Sequence, residues 1–217
     1  MIGTLQALQT EATTRLELRS NEMDEKIQQS WERFLNPDVV RPHLIMTSVY
    51  IFAYEILRDS IIGRIRDFFL NGFNEKGYII DPKYQTEVLS LNKSPVYASL
   101  EWLKRMNAID QNDTATFDKI KECRNTIVHD FSHLTAATGL PKDFENNFGD
   151  MVSLLRKIEV WWIMNVELAV NPDYDGQKID EDTIMPGPLM SLRILCDVAL
   201  GSDKQSRLYF ERFKQHK

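Results

Sequence analysis

The chain has 217 residues, of which 43% are hydrophobic and 27% are charged, a balance typical of a globular protein with a sizeable buried core. Its net charge of −6 argues against a broad, non-specific nucleic-acid surface, but not against a local basic cleft. The start of the chain has neither the basic lead nor the apolar block of a secretory signal, and no apolar run reaches the roughly 18 residues of a membrane span. Two cysteines, Cys123 and Cys196, are too few for a disulfide framework. We therefore expect a cytoplasmic protein without membrane association.

Hydrophobic spacing predicts helices from the start of the chain. A sparse stripe predicts a mostly exposed first helix over 5–35, which Asn36-Pro37 and Arg41-Pro42 should end. The second helix, over 43–70, has the clearest pattern. Its main stripe recurs at intervals of three and four residues and comprises Tyr50, Tyr54, Leu57, Ile61, Ile65 and Phe68. A second row predicts that the helix is covered on two sides, and it comprises Ile45, Val49, Phe52 and Ile56.

Three charged residues, Glu55, Arg58 and Asp59, interrupt the apolar surface of this second helix. Their spacing is typical of an ion pair on a helix edge, and a polar group that supports an active site is the alternative.

The rest of the chain reads as one irregular connection followed by further helices. The connection covers 71–93, and Ser94-Pro95 predicts the start of a third helix that ends near Asn107. Asp113 or Thr114 should cap a fourth helix, which ends near 135–139. Its predicted buried stripe comprises Phe117, Ile120, Ile127, Val128 and Phe131. A fifth helix over 142–170 and two short helices over 189–200 and 204–214 follow.

These elements predict an all-α fold, an antiparallel helical bundle with long central helices and two short C-terminal helices. No run of alternating polarity predicts a strand. We expect a single domain over 1–217, with an acidic loop over 171–188 and a C-terminal helical appendage over 189–217.

The fourth helix carries the candidate site, in the segment Arg124-Asn125-Thr126-Ile127-Val128-His129. Asn125 and His129 are four residues apart and share a helix face, and His133 would extend the row. Arg124 precedes His129 by five residues, which separates them by about 140° on an ideal helix. Because an Arg side chain is long, it can reach round to the face that carries His129.

These residue types suit the cleavage of a phosphodiester. RNA cleavage without a metal needs a base for the 2′-hydroxyl proton, an acid for the leaving oxygen, and positive charge on the phosphorane between them. His129 suits proton transfer near neutral pH, Arg124 can clamp phosphate oxygens, and Asn125 can hold the imidazole or a phosphate oxygen. One histidine cannot easily serve as both acid and base, so we expect a second copy from a symmetric dimer to complete the site.

This segment resembles the R-x4-6-H signature of HEPN domains, in which the Arg is often followed by a polar residue such as Asn. HEPN proteins are all-α bundles that dimerise around this helix, and many are metal-independent endoribonucleases of toxin–antitoxin, abortive-infection and CRISPR systems. The resemblance implies that Arg124 and His129 are catalytic, with Asn125 as a helper. It covers the bundle loosely and the motif closely.

One residue departs from a branch of that family. Where HEPN proteins pair with a small nucleotidyltransferase, the motif continues as His-x-Tyr, and the Tyr is the modification acceptor. Phe131 occupies this position here. Control by that route is therefore not expected, and a different antitoxin or defence-system partner, or none, is favoured.

Four further residues are candidate RNA contacts outside the catalytic set. Lys121 and His133 flank the motif, and Arg207 and Arg212 belong to a C-terminal segment with a net positive charge.

We expect no cofactor. A metal at His129 and His133 with Cys123 or Asp130 would lack a complete ligand set, and the acidic loop lacks the order of a calcium-binding loop. Trp161-Trp162 should belong to the core rather than stack on a base. A non-catalytic helical module that binds RNA or protein is the alternative to a nuclease.

Overall fold

The computed structural model describes residues 22–215 and confirms the all-α bundle. The predicted first helix is helical over 22–35 (α1), and its earlier part lies outside the described residues. The remaining α-helices are α2 (Pro37–Phe68), α3 (Pro95–Arg105), α4 (Gln111–His129), α5 (Phe131–His133), α6 (Phe144–Trp162), α7 (Gly187–Leu200) and α8 (Asp203–Gln215). Two strands form a hairpin, β1 (Leu70–Asn74) and β2 (Gly77–Ile80).

The long helix α2 lies at the centre of the bundle and packs against α3, α4, α6 and α7. Its predicted stripe is buried except at the end, where Phe68 is largely exposed. The hydroxyl of Tyr50 donates a hydrogen bond of 3.1 Å to the carbonyl of Ile120, so the helix that carries the motif is fixed to α2 by a buried polar contact as well as by packing.

The second row of α2 is only partly covered, which corrects the expectation of cover on two sides. Val49 is buried, but Ile45 and Phe52 are exposed at 40% and 51%. Helix α7 packs on this side of α2, and α8 packs on α7. Leu192 of α7 belongs to the hydrophobic core.

The start of α2 also differs from the prediction. Asn36 caps the helix through a 3.0 Å hydrogen bond from the amide of Asp38, and Pro37 occupies the first turn, where proline fits well. Pro42 lies inside the helix instead of ending it. It removes one backbone hydrogen bond, and the long packed helix that follows outweighs that loss.

The β-hairpin is a second correction, because 71–93 was expected to be irregular. The strands pair antiparallel, with Phe73 opposite Tyr78. Every residue of the two strands is exposed or only partly buried. A strand without a buried face has no reason to alternate in polarity, so the sequence lacks the usual signal.

Helix α4 starts earlier and ends earlier than predicted. Asp110 is the capping residue, and a reciprocal capping box joins it to Asp113. The helix ends at His129 because Asp130 leaves the helical conformation. Val128 is 41% exposed, so its place in the predicted buried stripe is wrong, and Phe131 lies beyond the helix. In the described residues no helix is long and apolar enough to cross a membrane.

Candidate active site

Helix α4 presents the motif on its outer side. Its inner side is formed by buried apolar residues, namely Phe117, Ile120, Cys123 and Ile127. Arg124 and Asn125 therefore lie at the border between the buried and exposed sides, and His129 is exposed at the last position of the helix. The His129 imidazole forms no hydrogen bond or ion pair within residues 22–215.

The Arg124 guanidinium is partly enclosed and only loosely held. Its side chain is 29% exposed and lies over the ring of Tyr54, 5.5 Å from the centroid. Its Nη1 donates to Oδ1 of Asn125 at 3.4 Å, and its Nη2 is 3.7 Å from Oε1 of Glu55. Its Nε is buried without a hydrogen-bond partner in the described part of the chain. The guanidinium is thus oriented, but its capacity to donate is not used up.

Glu55 of α2 links this guanidinium to a second cation. Its other carboxylate oxygen is 3.4 Å from Nη1 of Arg58, one turn further along α2. The predicted ion pair on the helix edge is present, and Glu55 also contacts the motif arginine. Burial raises the pKa of Tyr54, while Lys121 and Arg124 act in the opposite direction, so the phenol beneath Arg124 stays protonated at neutral pH.

Lys121 lies one turn before the motif on α4. Its ammonium lies 4.8 Å from the ring centroid of Tyr97 on α3 and donates to the Tyr97 hydroxyl at 3.2 Å. That hydroxyl donates to Asp118 at 2.6 Å, and this hydrogen bond is the main reason that the pKa of Tyr97 is raised. Lys121, Asn125 and His129 follow each other at four-residue intervals, so one row of α4 carries cationic, amide and imidazole groups.

The remaining predicted RNA contacts are not brought to this row. His133 lies in the short α5, beyond the break at Asp130, so the expectation that it continues the face of Asn125 and His129 is wrong. Arg207 and Arg212 are exposed on α8, which packs on α7, whereas α4 packs on α2 and α6.

Three other segments were considered as sites in the sequence, namely a metal site, the acidic loop and Trp161-Trp162. Within residues 22–215 no three His, Cys, Asp or Glu side chains come together as a metal site. In the acidic loop, the backbone of Glu181 accepts a 2.7 Å hydrogen bond from Arg156, and Asp182 lies 3.8 Å from the same guanidinium. Trp161 and Trp162 pack on Trp102, as expected for core residues.

Sequence reasoning missed how Tyr54 and Glu55 surround the motif arginine. Tyr54 was assigned only to the core stripe, and it does pack on Phe117, yet its ring also lies under Arg124. The available signal was that Glu55 directly follows Tyr54 and breaks an otherwise apolar surface. Which helix faces that edge of α2 cannot be read from local spacing.

The site can perform two chemical tasks. The Arg124 guanidinium has donors that can bind an anion. The exposed His129 imidazole lies about 7.5 Å further along the helix axis and can exchange a proton with the bound molecule. Comparison with protein families, curated proteins and solved structures finds no match for this chain.

Proposed function

We propose that the chain is a metal-independent endoribonuclease of the HEPN type, with an active site formed by Arg124, Asn125 and His129 from two copies. The observation that carries the proposal is the state of Arg124. Its guanidinium is oriented by Tyr54, Asn125 and Glu55 through long contacts, and its side chain remains 29% exposed. Because the contacts of Nη1 and Nη2 are long, at 3.4 and 3.7 Å, a phosphate oxygen that accepts from them at a shorter distance would be bound favourably.

In the proposed reaction, a neutral imidazole takes the proton from the 2′-hydroxyl. The 2′-oxygen then forms a bond to phosphorus, and the bond from phosphorus to the 5′-oxygen breaks. A protonated imidazole donates its proton to the leaving 5′-oxygen, so the products carry a 2′,3′-cyclic phosphate and a 5′-hydroxyl. Arg124 balances the negative charge on the phosphorane.

The two proton transfers account for the second copy. Each chain contributes one His129, and the base and the acid must act on opposite sides of the same phosphorus. Two His129 side chains supply both roles, and two Arg124 side chains double the positive charge. In the cell, we propose a cytoplasmic toxin or antiphage effector that is restrained by an antitoxin or a defence-system partner.

Cleavage of a mixed-sequence RNA in excess EDTA tests this proposal. Wild type should cleave and leave cyclic-phosphate ends, whereas His129→Ala should lose about 10²–10⁴-fold in rate, the usual contribution of general acid–base catalysis. His43→Ala is the control, because it also removes one imidazole but from α2 and not from the motif helix α4. Strict metal dependence, or full activity of His129→Ala, would contradict the mechanism.

A non-catalytic RNA- or protein-binding module is the second candidate. It is favoured by one observation: within residues 22–215 of one copy, nothing orients the His129 imidazole by a hydrogen bond. This alternative predicts RNA or partner binding without cleavage. It also predicts that expression of the wild type is tolerated as well as expression of Arg124→Ala.

A further inference from the structure

Three tyrosines pack beside the motif helix α4, and their hydroxyl groups differ. Tyr50 donates to the carbonyl of Ile120 at 3.1 Å, and Tyr97 donates to Asp118 at 2.6 Å. The Tyr54 hydroxyl has no hydrogen-bond partner within residues 22–215, although Tyr54 is only 6% exposed. Its oxygen is not fully enclosed by the protein, so the hydroxyl is open to a ligand from solvent.

Three cations surround this hydroxyl. Burial raises the pKa of Tyr54, and the positive charges that lower it belong to Lys121, Arg124 and Arg58. The Arg124 guanidinium lies over the Tyr54 ring, 5.5 Å from its centroid. Glu55 is the one carboxylate that contacts the cluster in the described part of the chain, at 3.4 Å from Arg58 and 3.7 Å from Arg124. The cluster therefore keeps an excess of positive charge in a chain whose net charge is −6.

Helices α2 and α4 run antiparallel where they form this cluster. Tyr50 contacts Ile120, whereas Tyr54, one turn later in α2, packs on Phe117, which lies earlier in α4. A step forward along α2 and a step backward along α4 therefore lead in the same direction.

The cations consequently lie at two levels along the boundary between the two helices. Glu55 and Arg124 contact each other and mark the first level. Arg58 is three residues after Glu55, and Lys121 is three residues before Arg124, so each lies about 4.5 Å along its helix in the same direction. His129 lies on the opposite side of Arg124. The order along the boundary is thus the imidazole, the motif arginine, and then a second pair of cations.

Both cations of the second level keep donors for a ligand. Arg58 is 53% exposed, and its ion pair with Glu55 is long, at 3.4 Å. Lys121 donates to the Tyr97 hydroxyl at 3.2 Å, and an ammonium group has three donors. A guanidinium, an ammonium and a phenol hydroxyl together suit a phosphate, which offers several acceptor oxygens at once.

We propose that Tyr54, Arg58 and Lys121 form a subsite for the phosphate next to the one that Arg124 binds. The substrate is then a strand with at least two successive phosphates, and a molecule with a single phosphodiester leaves the subsite empty. The inference rests on the proposed function for the nature of the strand, which is RNA.

Binding of a fluorescent 2′-O-methyl RNA oligonucleotide tests the subsite without catalysis, because the probe has no 2′-hydroxyl to attack. Fluorescence anisotropy over a series of salt concentrations gives the dissociation constant and its salt dependence. Arg58→Gln removes one phosphate contact, so it should weaken binding and make the slope of log K against log salt shallower by about 0.7. Arg66→Gln is the matched control, because Arg66 is 54% exposed on the same helix, and it should change neither value.

Tyr54→Phe removes only the hydroxyl and keeps the ring beneath Arg124. It should weaken the dissociation constant by about tenfold, and the salt slope should stay the same because the hydroxyl carries no charge. Urea denaturation should show no loss of stability. Tyr50→Phe is the control, because its hydroxyl is already bonded to Ile120: it should lower stability and leave binding unchanged.

Unchanged binding in both Arg58→Gln and Tyr54→Phe would overturn the subsite, and so would a wild type that does not bind the probe. Equal losses in Arg58→Gln and Arg66→Gln would also overturn it, because binding would then follow overall charge. The expected binding changes in a protein that does not cleave RNA would support the subsite and contradict the nuclease. Cleavage that is unaffected by Arg58→Gln and Tyr54→Phe, with unchanged binding, would overturn the subsite and leave the nuclease intact.

Discussion

Two arginines, Arg64 and Arg124, form contacts with glutamates that join α2 to its neighbours, and these contacts differ in length, number and burial. Arg64 of α2 donates to both carboxylate oxygens of Glu159 on α6, at distances from 2.5 to 3.4 Å, and also to Glu167 at 2.7 Å. Glu159 is completely buried. The contact between Arg124 and Glu55 has a single distance of 3.7 Å and lies at the surface.

This difference separates a structural arginine from one that is available to a ligand. The Arg64 guanidinium is saturated by two carboxylates, and its pKa is raised mainly by the hydrogen bonds to Glu159. The Nη1 and Nη2 atoms of Arg124 have long contacts of 3.4 and 3.7 Å, so these donors are not saturated. A saturated pair stabilises the fold, whereas an unsaturated and oriented guanidinium gains most of its favourable interactions when an anion arrives.

The largest effect is expected at Arg124. Arg124→Ala should reduce RNA cleavage by about 10³-fold, which corresponds to roughly 4 kcal/mol of transition-state stabilisation. Its free energy of unfolding should fall by no more than about 1 kcal/mol, because only a cation–π contact and a surface ion pair are lost. Parallel cleavage assays and urea denaturation check both values. A stability loss as large as the activity loss would mean that Arg124 is structural.

At Arg64, the main expected effect is on the free energy of unfolding and not on RNA cleavage. Arg64→Met leaves the Glu159 carboxylate buried without its partner and should lower the free energy of unfolding by about 3 kcal/mol. This is the low end of the usual range, because Arg64 itself is 33% exposed. Urea denaturation measures the loss. Arg66→Met serves as the control on the same helix, since Arg66 is 54% exposed, its ion pair with Asp67 is long at 3.9 Å, and its loss should change stability by less than about 0.5 kcal/mol.

The smallest effect is expected at Glu55. Glu55→Gln should change the free energy of unfolding by less than about 0.5 kcal/mol, because its ion pairs are exposed. The same variant should lower KM for RNA, since it removes a carboxylate that competes with phosphate for Arg124. Steady-state kinetics at two salt concentrations test this, and a raised KM would mean that Glu55 mainly positions Arg124.

The sequence was most informative where one helix face is buried. Tyr50, Leu57, Ile61 and Ile65 recur at helical intervals and do form the core. It was least informative at exposed elements, such as the hairpin and Val128, because burial produces the pattern that spacing detects. The Asp110 cap was missed because Asp113, three residues later, is an equally good capping type and in fact serves as its partner in the capping box.

The candidate site was predictable in its residues but not in its surroundings. Arg124, Asn125 and His129 could be named from spacing on one helix. The ring of Tyr54 beneath Arg124 and the contact to Glu55 depend on how α2 packs against α4. Such contacts join residues about 70 positions apart in the chain, and no local pattern encodes them.

The central claim is that one active site needs His129 from two copies, and a mixing experiment tests it most directly. Wild type and His129→Ala are refolded together in equal amounts, and the cleavage rate is compared with that of the same total amount of wild type. If both imidazoles are required, only dimers of two wild-type chains cleave, and about one quarter of the activity remains. A remaining activity of about one half would mean that each copy acts alone and would contradict the composite site.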